Sequence, residues 1–141
     1  MERFIEFAGN HWELFAALAV TVALIIKSHL GGRLSGYRTI PAGEAINLIN
    51  QEGGIVLDVR EQKEYSQGHI VDSIHIPLTA FKKRITELEK HRDKPIIVAC
   101  RSGSRSGSAC SQLTKQKFGQ VYNLGGGIVS WQSANLPLTK K

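Results

Sequence analysis

From residue 37 onward, short apolar runs alternate with stretches whose apolar residues recur every three or four positions. That pattern predicts an α/β fold with a mainly parallel sheet. Residues 37–40 predict an edge strand. Pro41 opens a helix with Ala45, Ile46 and Ile49 on one face, and Gly53 and Gly54 stop it. Residues 55–59 predict a central strand. A short strand at 74–76 is closed by Pro77, and Phe81, Ile85 and Leu88 at i, i+4 and i+7 predict a helix that Pro95 breaks. Residues 96–99 are purely aliphatic and predict a strand buried on both faces, with Cys100 at its C-terminal end. Residues 104–117 predict a helix packed through Ala109, Cys110 and Leu113; residues 121–124 predict the last strand, before a tight turn at Gly125, Gly126 and Gly127. There is no internal repeat.

The N-terminal stretch is different in kind. Residues 14–26 (LFAALAVTVALII) carry no charge, with Trp12 and Glu13 before them and Lys27 after. Thirteen helical residues rise about 20 Å at ~1.5 Å each, short of a hydrocarbon core of ~30 Å. Trp12 at one interface, and Lys27, Ser28, His29 and Leu30 at the other, would complete a crossing. A cleaved signal peptide and a buried helix of a soluble domain are the competing readings. The first wants a basic start, and residues 1–13 hold three acids and one arginine. The expectation is therefore a membrane anchor over residues 1–30 (span about 12–30), a flexible Gly/Ser tether over 31–36 and a folded domain over 37–141. Lys27, Arg33 and Arg38 follow the apolar run and Arg3 alone precedes it. The positive-inside rule then puts the folded domain in the cytoplasm, on the inner membrane.

Composition narrows the function classes. Hydrophobic residues make up 42% and charged residues 21% of the 141, as in a globular chain able to bury a core. Two cysteines, Cys100 and Cys110, are too few for a disulfide scaffold and lack zinc-site spacing, so a reducing compartment is expected. Eighteen Lys/Arg against twelve Asp/Glu give a formal charge of +6, which suits an anionic substrate, an anionic membrane surface or nucleic acid. No recognition motif or interleaved aromatic accompanies that charge, so nucleic acid is not expected as a partner. Lys82, Lys83 and Arg84 read as a solvated helix face; the next candidates are a contact with lipid and a membrane-protein partner.

The chemistry concentrates in residues 100–107, CRSGSRSG, between the buried strand and the following helix, where open α/β sheets bind ligands. Ser102, Gly103 and Ser104 are small enough to let successive N–H groups turn toward one point, and the helix adds its positive end. Arg101 and Arg105 add charge. Such surroundings lower a cysteine pKa and make Cys100 a nucleophile near neutral pH. Cys110, on the inward helix face, reads as a small core residue.

The loop CRSGSR, with LDVREQKEYSQGHI (57–70), IHIP (74–77) and NLGGGIVSW (123–131), resembles the single-domain rhodaneses. The likeness covers roughly residues 37–138. It implies a five-stranded parallel sheet flanked by helices and a rhodanese-type sulfurtransferase, whose Cys100 alternates between thiolate and persulfide, with no metal and no organic cofactor. Four residues separate Cys100 from Arg105; the related phosphatases and arsenate reductases place five, a wider ring suited to a tetrahedral phosphate. Arg101 and Arg105 are then expected to attract a thiosulfate-like dianion, the amides from Arg101 to Arg105 to disperse the persulfide charge, and a thiol or cyanide to take the sulfur. Asp58, Arg60 and Glu64 are expected to brace the loop, and His69 and His75 to pack through hydrogen bonds. Trp131 reads as a core or rim aromatic. The competing function is a membrane-tethered rhodanese-like binding module with little catalysis.

Overall fold

The computed structural model of the protein follows the backbone over residues 1–141 and describes every side chain except those of residues 2, 4 and 29–34. The chain divides into two compact units, residues 1–34 and 35–141.

The first unit holds α1 (Glu2–Asn10) and α2 (Trp12–Leu34). Alanine, leucine and other apolar residues continue α2 without proline, and Leu14, Leu18, Val20 and Leu24 are exposed along it. Among the described residues, no helix is long and apolar enough to cross a membrane. This corrects the expected transmembrane anchor, and with it the lipid-bilayer partner and the inner-membrane location with a cytoplasmic domain. The reason is length, since the charge-free run of residues 14–26 rises about 20 Å against the ~30 Å required. The backbone of His29 and Leu30, expected to extend the run, and of residues 31–34 of the expected tether continues α2, while their side chains lie outside the described residues. A membrane-protein partner loses its basis along with the anchor.

The second unit is a five-stranded sheet, all of whose pairs are parallel. Its strands are β1 (Arg38–Ile40), β2 (Ile55–Asp58), β3 (Ile74–His75), β4 (Ile96–Ala99) and β5 (Val121–Leu124), in the order β1-β5-β4-β2-β3. β4 is central because it is aliphatic throughout and all four residues are buried. Its side chains alternate between two cores. Ile96 and Val98 pack with Phe81, Leu88, Ala109, Cys110 and Leu113, under α5 (Phe81–Arg84) and α6 (Ser104–Lys115). Ile97 and Ala99 face the other side and pack with Ala45, Ile128 and Trp131, under α3 (Ala42–Glu52) and α7 (Gly127–Ser133).

Three elements depart from expectation. The helix expected through Phe81, Ile85 and Leu88 is α-helical only to Arg84 and continues as 3-10 helix over Ile85–His91. Phe81 and Leu88 are buried nonetheless. The segment after β2 forms a short helix, α4 (Gln62–Ser66), fixed by a capping box between Glu61 and Glu64. The glycines after β5 turn the chain as expected but lead directly into α7.

Candidate active site

The loop from Cys100 to Gly103 leaves the C-terminal end of β4 and enters α6. Gly103 is the N-terminal cap of α6 at φ +103°, a conformation that a residue with a Cβ rarely adopts. That geometry lets its N–H donate to Cys100 Sγ at 3.0 Å. Two further groups join it from the first turn of α6 and from β5. Ser106 Oγ lies 3.3 Å from Sγ and donates to Asn123 Oδ1. Asn123 Nδ2 in turn donates to Gly103 O at 3.1 Å, closing a ring of contacts beneath the loop. Ser106 and Asn123 are both buried.

The surroundings set the charge state of the thiol. Burial pushes the Cys100 pKa up, but the Ser106 hydroxyl and the N–H groups of Ser106, Gly103 and Ser102 outweigh it and hold the thiol below its ordinary value. Cys110 shows the contrast. Burial, and then the neighbouring Cys100 charge, push it up to about 12, so it stays a neutral thiol. Cys100 is exposed by only 1%. A reactant reaching Sγ must therefore present one projecting atom ahead of its bulk.

Three arginines stand around the loop, and two are committed to carboxylates. Arg105 makes a bidentate pair with Glu64, both contacts at 2.7 Å. Its hydrogen bonds are the largest influence on Glu64, which is held down to about 2 and stays ionised. Arg60 is buried against Asp58, with its Nη2 at 2.7 Å from Asp58 Oδ2, and also donates to Gly68 O at 2.7 Å. Arg60 and Asp58 meet the loop only indirectly, through the 60–68 segment that carries Glu64. Among the described residues, the exposed Arg101 guanidinium has no hydrogen bond or ion pair. Ser102 and Ser104 are exposed on the rim, and Gly103 is half-buried.

The remaining expected residues sit nearby in other roles. His75 Nε2 lies 2.7 Å from Arg60 O, and His69 has ring nitrogens 3.0 Å from Tyr65 O and 2.8 Å from Lys141 O. Both rings stack on Tyr65, at 3.8 Å for His69 and 4.1 Å for His75. Trp131 is buried and donates to Pro137 O. Lys82 and Lys83 are exposed, while Arg84 pairs with Glu87.

Sequence reasoning missed Ser106 and Asn123. A signal for both was present: Ser106 shares the inward helical stripe of Ala109, Cys110 and Leu113, and Asn123 is a polar residue inside a buried strand. Removing the Ser106 hydroxyl in Ser106→Ala is expected to remove the largest of the influences that lower the Cys100 pKa and so to raise it. A pH titration followed by thiolate ultraviolet absorbance measures it. An unmoved midpoint would deny Ser106 any part in setting the thiol.

The Rhodanese-like domain family matches residues 41–134. The uncharacterized protein YibN of Escherichia coli K12 is 35% identical over 141 residues, covering 99% of this chain and 99% of its own length. The thiosulfate sulfurtransferase GlpE of Pseudomonas fluorescens is 34% identical over 100 residues, 71% of this chain and 89% of its own. Among solved structures, a rhodanese-related protein from Thermoplasma volcanium superimposes with a TM-score of 0.67 at 35% identity, over 74% of this chain and 100% of that one.

Proposed function

Because the chain belongs to the rhodanese-like domain family, we propose that it is a sulfurtransferase, moving a sulfane sulfur from a thiosulfate-like donor to a thiol or other nucleophilic acceptor. The observation that carries this reading is the Gly103 N–H aimed at Cys100 Sγ at 3.0 Å, with Ser106 Oγ 3.3 Å from the same sulfur. Donors already aimed at a sulfur stabilise negative charge there without reorganising at the moment of reaction.

In the first half-reaction the exposed Arg101 attracts the sulfonate end of the donor. Arg105, held by Glu64, shapes the loop and adds its field. The Cys100 thiolate attacks the outer sulfur, a new S–S bond forms, and the donor's own S–S bond breaks with its electron pair leaving on sulfite. Charge balances: a monoanion and a dianion give a persulfide monoanion and sulfite. The terminal sulfur is a single atom, which suits a loop with only four residues between Cys100 and Arg105 and a floor exposed by 1%. An acceptor then takes that sulfur and restores the thiolate. These steps use groups of this chain alone.

A thiosulfate:cyanide assay, read beside intact-mass spectrometry, tests the proposal. The wild type should turn over and, given thiosulfate without acceptor, gain about 32 Da, one sulfur atom. Cys100→Ala should show neither. Absence of both turnover and adduct in the wild type would favour a binding module, and hydrolysis of an aryl phosphate in their place would favour phosphatase chemistry.

A further inference from the structure

Away from the Cys100 loop, a cavity of about 390 Å³ opens between the 81–91 segment and the C-terminal half of α6, within the size range of ligand sites. Lys82 and Ile85 line it from the first element, and Gln112, Lys115 and Gln116 from the second. Gln112 follows Ser104, the first residue of α6, by two helical turns, about 12 Å along the axis. The cavity is therefore separate from the thiol site.

Its charge is unbalanced for a reason that the neighbouring pairs make plain. Arg84 pairs with Glu87 at 2.8 Å and Arg92 with Glu89 at 2.6 Å, so the carboxylates of the 81–91 segment are already matched by arginines. Helix α6 carries no carboxylate. Lys82 and Lys115 are the surplus: both are exposed, and among the described residues neither has an ion pair or a side-chain hydrogen bond. The side-chain amides of Gln112 and Gln116 are likewise without a partner among those residues. Ile85, half-buried, supplies an apolar wall.

These groups select a kind of occupant. Two ammonium groups on flexible stems, carried by different elements, match two separated carboxylates; a compact dianion is better met by the planar fork of arginine or a ring of backbone N–H groups. The C-terminal end of α6, the negative end of its dipole, also opposes a concentrated double charge. The amides match peptide groups, and Ile85 matches an aliphatic side chain lying between acids. A concave site receives a projecting chain in preference to a flat lipid surface. We propose that this cavity docks an acidic segment of a partner protein, one in which carboxylates flank an aliphatic residue. The proposal does not rest on the chemistry at Cys100.

Fluorescence anisotropy tests it, with the full chain titrated into a labelled peptide of glutamates interspersed with leucine. The wild type should bind this peptide and should bind its glutamine-for-glutamate counterpart several-fold more weakly. Lys82→Gln combined with Lys115→Gln should weaken the acidic peptide about fivefold, the worth of two exposed ion pairs. Lys140→Gln combined with Lys141→Gln removes the same charge from the C-terminal tail, which packs through Leu138 into the core on the other face of the sheet. Beyond a screening length of ~8 Å, that change should alter binding less than about twofold. The four lysines are exposed, so both double variants should fold and keep the thiosulfate:cyanide turnover of the wild type. No binding by the wild type, or equal weakening in the two double variants, would overturn the docking site and leave the sulfurtransferase reading untouched. Displacement of the peptide by inorganic phosphate at constant ionic strength would overturn it in favour of a small-anion site.

Discussion

Gly127→Ala is expected to abolish sulfur transfer and to lower thermal stability by more than ~10 °C, the consequence of about 3 kcal/mol in a domain of this size. Gly127 sits at φ +57°, where a side chain is already unfavourable by roughly 1–2 kcal/mol. A Cβ there would also lie 2.5 Å from the Arg101 carbonyl oxygen and closer still to that of Cys100. Those carbonyls are backbone and cannot turn aside. They accept the Ile128 and Val129 N–H groups, so the clash falls on the bonds that join α7 to the loop. Relief requires the first two loop residues to move. An error of about 1 Å in a reacting group costs on the order of 100-fold in rate, and here the moved residue is Cys100, the proposed nucleophile. Calorimetry and the thiosulfate:cyanide assay measure the two effects. Near-wild-type turnover in Gly127→Ala would mean that the loop does not depend on its α7 support.

Much of this arrangement could be read from the chain because its causes are local. An all-aliphatic β4 has to be the central strand of a parallel sheet, and a cysteine directly after it has to stand at the sheet's ligand-binding end. The Ser-Gly-Ser run after Cys100 announces a tight loop for the same reason, since only small residues allow the turn. What stayed hidden depends on partners far away in sequence. Ser106 finds Asn123 seventeen positions later, and Arg105 finds Glu64 forty-one positions earlier. A loop arginine read alone looks like a free cation, and nothing local to it shows that its guanidinium is paired with Glu64. Helix α7 was obscured by its own start, because Gly125, Gly126 and Gly127 signal a turn while Ile128 and Trp131, at i and i+3, carry the weaker helical signal. In the 81–91 segment the apolar spacing gave the buried face correctly and the helix type incorrectly. Burial of Phe81 and Leu88 fixes which side faces the core, whereas the choice between α and 3-10 hydrogen bonding follows from how the segment closes over the sheet.

Asp58→Ala is expected to destabilise the domain by about 3–5 kcal/mol, the cost of leaving one member of a buried ion pair without its partner. Asp58 and Arg60 keep side-chain exposures of 1% and 7%, so solvent cannot take over the orphaned guanidinium. Both Asp58 oxygens accept from Arg60 Nε, one also accepts from the Arg60 backbone N–H, and the other from Nη2. Arg60 uses its remaining reach to hold Gly68 O, while its own carbonyl lies 2.7 Å from His75 Nε2. The pair therefore pins the segment between β2 and β3, and Glu64 stands on that segment facing Arg105. Loss of Asp58 should loosen the loop as well as the core. Activity in the surviving folded protein should fall, and urea unfolding should shift to a lower midpoint. The double variant Asp58→Ala with Arg60→Met separates charge from packing. It removes the buried cation, so it should recover part of the stability lost in Asp58→Ala while leaving Glu64 without its support. If the double variant is no more stable than the single one, the penalty comes from lost packing around Asp58 and the stranded charge plays no part.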